Sequence, residues 1–115
     1  MSDKVLILLC NLPDLANAER IAALAIEQRL AACVNILPSC KSVYRWKGKI
    51  EQAEEIPVLF KTSARAYPEL ETLICAEHPY ELPEILALQP AEGLKAYLNW
   101  IASEAAPENS LPDGL

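Results

Sequence analysis

Glycine is scarce in this chain: its 115 residues include only Gly48, Gly93 and Gly114. Phosphate-cradling loops need several glycines within a few residues, so neither a Walker-type loop nor a dinucleotide fingerprint is available, and nucleotide enzymes are disfavoured. Histidine occurs once, as His78. The four cysteines, Cys10, Cys33, Cys40 and Cys75, form no C-x-x-C pair, which leaves no zinc ribbon and no thioredoxin-type motif. Each stands in an apolar or strand-like context and reads as a buried, reduced thiol. Lysine and arginine never cluster, and the net charge is −6. Nucleic acid and anionic membranes reward neutralising cations and are not expected partners, whereas a cationic ligand is compatible. No run approaches the about 20 apolar residues of a membrane span. Val5 to Leu9 is too short and lacks the basic start of a signal peptide, so a cytoplasmic location is expected.

What is present is a hydrophobic content of 52%. One domain of this length then buries roughly two-thirds of the surface its unfolded chain exposes. The chain divides into a single domain over 1–104 and a flexible C-terminal tail over 105–115, where Pro107, Pro112 and Gly114 accompany little apolar content.

Lys4 to Cys10 is β-rich, and Asn11-Leu12-Pro13-Asp14 ends it with turn chemistry. A helix from Asp14 or Leu15 to Ala31 follows, with Asp14 or Asn17 as its N-cap. Cys33 to Leu37 and Val43 to Trp46 read as strand interrupted at Pro38-Ser39, and alternation puts Tyr44 and Trp46 on one face. Lys47-Gly48-Lys49 signals a hairpin. A strand returns over Ile50 to Lys61, and Pro57 within it calls for an edge or a bend. At about 3.3 Å per residue such arms reach roughly 40 Å, while a compact chain of this length has a radius of gyration of about 13 Å. The hairpin tip must leave its own core, and its aromatic face needs another subunit to cover it.

A second helix, Ala66 to Glu77, carries Tyr67, Leu70, Leu73 and Ile74 as its apolar stripe and tolerates Pro68 in its first turn. It feeds the stretch Glu77-His78-Pro79-Tyr80-Glu81-Leu82-Pro83-Glu84-Ile85. Two prolines hold their preceding residues extended, so the helix stops at or just before His78, and the imidazole and the Tyr80 phenol sit on a stiff connector. Ile85 to Leu88 reads as a strand covered on both faces. A third helix from Ala91 buries Leu94, Tyr97, Leu98 and Ile101, and leaves Trp100 in need of another surface. The order β-α-β-β-α-β followed by a helix is the split βαβ arrangement of an α+β, ferredoxin-like fold, an antiparallel sheet with helices on one face. An α+β sandwich of other connectivity is the alternative.

Five separated motifs resemble the CutA divalent-cation tolerance family: Leu30 to Asn35, Ser42 to Ile50, Lys61-Thr62, His78 to Ile85 and Tyr97 to Trp100. The resemblance runs from Val5 to Ile101. It implies a cytoplasmic homotrimer of ferredoxin-like subunits, related in shape to PII signalling proteins, whose long hairpins reach onto their neighbours. Tyr44, Trp46, Tyr80 and Trp100 are then interface residues. It also implies a link to copper and other divalent metals, with no organic cofactor. The family's copper ligands match Cys10, and Glu77 with His78. Glu77 stands where the family pattern has a first histidine, and a carboxylate is a harder donor than imidazole or thiolate. Without the resemblance, Cys10 reads as a core residue and His78 as a loop residue that hydrogen-bonds locally.

Two functions fit these residues. One is a metal-responsive binding protein; the other is a PII-like trimeric regulatory scaffold that takes a small ligand or protein partner at its intersubunit clefts, with metal incidental. Neither is an enzyme. Nothing beside Cys10 and His78 marks them as an activated nucleophile and base, and Asn11-Leu12-Pro13-Asp14 offers no basic phosphate cradle. Glu51, Glu54 and Glu55, and Glu81 with Glu84, read as solvated charge.

Overall fold

The computed structural model describes residues 4–108. Its elements are β1 (Val5–Leu12), α1 (Leu15–Glu27), β2 (Cys33–Ile36), β3 (Cys40–Trp46), β4 (Lys49–Ser63), α2 (Tyr67–Glu77), β5 (Leu86–Leu88) and α3 (Lys95–Glu104). All pairings are antiparallel, in the order β2-β4-β1-β5, with β3 continuing beside β4 where β2 stops. This is the ferredoxin-like arrangement expected from the order of elements.

Alternation along β1 and β4 sends Leu8, Cys10, Leu12, Val58 and Phe60 to one face, where they meet Ala18, Ile21 and Ala25 of α1 and Leu70 and Ile74 of α2. That is the core. The second face carries Ile7, Leu9, Leu59 and, opposite Ile7 and Leu9 in register, Leu88 and Leu86. α3 reaches this face from one end, where Lys61 Nζ lies 3.2 Å from the Tyr97 hydroxyl and Ser63 Oγ donates to the Ala105 carbonyl at 2.7 Å.

Asp14 caps α1, its carboxylate accepting from the Asn17 N–H at 2.8 Å. The helix stops at Glu27, short of the expected Ala31. Arg29 takes φ 60, and the N–H groups of Arg29 and Leu30 turn back to the carbonyls of Ile26 and Ala25. That is a Schellman ending with arginine in the place glycine usually holds. β1 runs on through Asn11 and Leu12, which pair with Pro57 and Ile56 and make no turn.

Pro57 is neither at an edge nor in a bend that ends pairing. β4 is central, flanked by β1 on one side and by β2 and β3 in succession on the other. The Leu37 N–H donates to the Pro57 carbonyl at 2.9 Å. In a strand the N and C=O of one residue point the same way, so the missing N–H faces the β2-to-β3 junction and the β1 ladder loses nothing. Beyond it, β3 and the first half of β4 form the arm, closed by Lys47 (φ 51) and Gly48 (φ 81) as a two-residue turn. The arm stretches the chain to 48 × 28 × 24 Å.

Three other expectations change. β5 is an edge strand paired only with β1, and Leu86 and Leu88 are each 56% exposed, so it is not covered on both faces within one chain. α3 starts at Lys95, not Ala91, and of its expected buried stripe only Ile101 is buried; Leu98 is half-buried and Leu94 and Tyr97 remain open, as does Trp100, which was expected off that stripe. The tail expected from 105 begins docked, since Ala105 and Pro107 are buried; its part over 109–115 lies outside the described residues.

Candidate functional site

Pro79 forbids helical geometry at the residue before it, and α2 accordingly ends with His78 extended at φ −74 and ψ 134. His78 is buried. Its Nε2 lies 2.8 Å from the Asn11 carbonyl oxygen, and its Nδ1 accepts the Tyr80 N–H at 3.1 Å. A carbonyl can only accept and an amide N–H can only donate, so the two partners fix the Nε2–H tautomer. The Cys10 thiol approaches the same Asn11 oxygen, at 3.8 Å. Cys10 and His78 therefore do converge, but on a main-chain carbonyl.

Asn11 turns its side chain to the second face of the sheet. Its Nδ2 donates to Glu84 Oε1 at 3.2 Å and to Glu55 Oε1 at 3.4 Å, while the Tyr80 hydroxyl donates to Glu55 Oε2 at 2.9 Å. Glu55 is only 7% exposed, and the donors that reach it here, an amide and a phenol, are both neutral. Burial, reinforced by the Glu55 hydrogen bond and charge, pushes the Tyr80 phenol well above its ordinary value. Tyr80 and Glu55 form the floor of a cleft of about 680 Å³ whose walls include Tyr44 and Trp46 of β3 and Glu81 and Glu84 of the connector. The rim pair of Lys47 and Glu81, 3.8 Å apart, is largely exposed.

Glu77 faces elsewhere. Arg20 of α1 ion-pairs with its carboxylate and donates to its carbonyl at 3.0 Å, and also to Asn17 Oδ1 at 2.9 Å. Glu77 thus clasps α2 to α1.

The family model that matches this chain is that of the CutA1 divalent ion tolerance protein, over residues 6–104. The chain belongs to that family. Divalent-cation tolerance protein CutA of Thermus thermophilus is 44% identical over 95 residues, covering 83% of this chain and 92% of the relative. Among solved structures, CutA from Xylella fastidiosa superposes with a TM-score of 0.86 at 46% identity, over 90% of this chain and 99% of that one. The periplasmic divalent cation tolerance protein CutA from Archaeoglobus fulgidus gives 0.85 at 38%, over 89% and 99%. The chain is a divalent-cation tolerance protein of the CutA type.

A CutA protein invites a test of its cysteine and histidine as metal ligands. Among the described residues no three His, Cys, Asp or Glu side chains stand close enough to hold an ion. Burial first, then Glu84, Cys75 and Glu55, push the Cys10 thiol up to about 12, which opposes the thiolate a soft metal needs. The His78 lone pair is already used, and Glu77 is held by Arg20. As arranged, this donor set does not fit a metal.

Asn11, Glu55 and Arg20 are the residues that sequence reasoning missed as parts of the site. Asn11 read as a turn and Glu55 as solvated charge. Counting back by twos from Leu59 through Pro57 reaches Glu55 on the second face of the sheet, and this was the one available signal. Of the residues expected at an interface, Tyr44, Trp46 and Tyr80 meet at the cleft. Trp100 stacks on Tyr97 at 5.6 Å, away from them on α3.

Proposed function

We propose that this chain serves divalent-cation tolerance as a cytoplasmic homotrimer that binds cations, copper among them, at the acidic cleft and catalyses no reaction. The observation that carries this reading is Glu55, a buried carboxylate in the cleft floor whose two donors are neutral. A buried anion favours a cation beside it, and Glu81 and Glu84 add further oxygen donors at the cleft wall. Among the described residues one chain supplies too few converging donors for a chelate. The cleft therefore takes a hydrated ion weakly, or completes its coordination with groups from a second copy. Hard oxygen ligands suit manganese, magnesium and calcium more than copper(I).

Assembly is supported by the apolar surface one chain leaves open: Val43, Tyr44, Trp46 and Ile50 on the arm, Leu82 on the connector, Leu86 and Leu88 on the edge strand, Leu94 at the N-cap of α3 and Trp100 on that helix. Four free cysteines accord with a reducing compartment. Calorimetric titration with Mn²⁺, Zn²⁺ and Cu²⁺ tests the site. Glu55→Gln should weaken binding at least tenfold while leaving the sedimentation mass unchanged. Unchanged affinity would remove the cleft from consideration.

A further inference from the structure

We infer that Cys10, Glu77 and His78 do not chelate a metal in this chain, and that Glu77 and His78 are positioning residues which hold the connector, and with it Tyr80, in place at the cleft floor. The first half stands on the hydrogen bonds alone. The Cys10 thiol and the His78 Nε2–H both donate to one acceptor, the Asn11 carbonyl oxygen, at 3.8 and 2.8 Å, so an ion would have to displace both bonds. Swinging His78 onto an ion would also release the Tyr80 N–H, and with it the main chain that aims the phenol at Glu55. The Glu77 carboxylate and carbonyl both face Arg20, so moving Glu77 would undo the contact that fixes the end of α2.

The links run in one direction: Asp14 holds Asn17, Asn17 and Glu77 hold Arg20, His78 hangs from Asn11, and Tyr80 hangs from His78. Asn11 closes the circuit, because its carbonyl receives His78 while its side-chain amide reaches Glu55 and Glu84. A residue that reaches the cleft only through these bonds acts by placing others. This second half rests on the cleft reading above.

Two titrations separate the halves. Copper(I), delivered from a competing chelator under reducing conditions, should bind wild type, Cys10→Ser and His78→Gln with affinities within about twofold of one another, or bind none of them. A loss of tenfold or more in both variants, with sulfur and imidazole ligands lost from the X-ray absorption spectrum, would overturn the first half. Mn²⁺, followed by water-proton relaxation, should bind His78→Ala at least fivefold more weakly than wild type. His78→Gln, whose amide can still donate to the Asn11 carbonyl, should recover most of that loss. Equal Mn²⁺ affinity in wild type and His78→Ala, with Glu55→Gln impaired, would overturn the positioning role and leave the cleft standing. Equal affinity in all three would remove the cleft and the positioning role together, and the copper(I) result would still decide the chelate.

Discussion

Truncating His78 to alanine strands two main-chain groups at once, the Asn11 carbonyl and the Tyr80 N–H, in a part of the molecule where the residue is 7% exposed. Leaving buried polar groups unpaired costs about 1–3 kcal/mol, and urea unfolding of His78→Ala should show a loss in that range. Arg20→Ala should cost far less, about 0.5 kcal/mol, because its pair with Glu77 is over a third exposed on both sides and water screens it. Cys10 gives a dependence on pH. Its thiol is held up to about 12 by burial, above the ordinary value of about 8.5. Between those values the folded chain keeps a proton that the unfolded chain releases, so stability falls as pH rises through that window. The urea midpoint of wild type should drop from pH 7.5 to 10.5 by more than that of Cys10→Ala; parallel drops would show that Cys10 is not the cause.

At the level of elements, legibility follows whether a residue's own chemistry announces its partner. Asp14 was readable as a cap because a carboxylate before an apolar periodic run has few other uses. Arg29 was not, since the left-handed ending it adopts is ordinarily announced by glycine. Pro57 was half readable: its missing donor marks a gap in a ladder, but a gap between two successive partner strands looks from sequence like an edge. Leu86 and Leu88 signalled burial as apolar residues, yet among the described residues nothing covers them, and each is 56% exposed. The site was least legible where it depends on the Asn11 carbonyl, because every residue has one and no side chain marks which will be used. The turn at Gly48 can be checked directly. Among the described residues other than its two chain neighbours, no heavy atom lies within 4 Å of a methyl group added there, so Gly48→Ala meets no clash and pays only for φ +81. A loss of about 1 kcal/mol in a thermal or urea melt is expected.

For the whole molecule, the second face of the sheet, the arm and the region of α3 leave Leu86, Leu88, Val43, Ile50, Leu94 and Trp100 exposed, the kind of apolar surface that a neighbouring copy covers. Sedimentation equilibrium at micromolar concentration should give three times the 12.7 kDa chain mass. Leu86→Glu, which places a carboxylate on the edge strand, should shift that mass toward the single chain; a single-chain mass for wild type would refute the trimer. Trp46→Ala should lower stability by about 3 kcal/mol per subunit if a neighbour completes the burial of its indole.

The unequal length of the pairings also sets an order in time. Trp46 and Lys49 meet across a two-residue turn, whereas Val5 must find Ser63 and Ile7 must find Leu88. Hairpins close in about 1–10 μs, and distant strands must first meet the entropy of a long loop. The arm is thus expected to form before the sheet it belongs to, with Tyr44 and Trp46 already side by side and no core behind them. Refolding should then speed up with protein concentration, because the first surface this chain completes is the one it cannot cover alone.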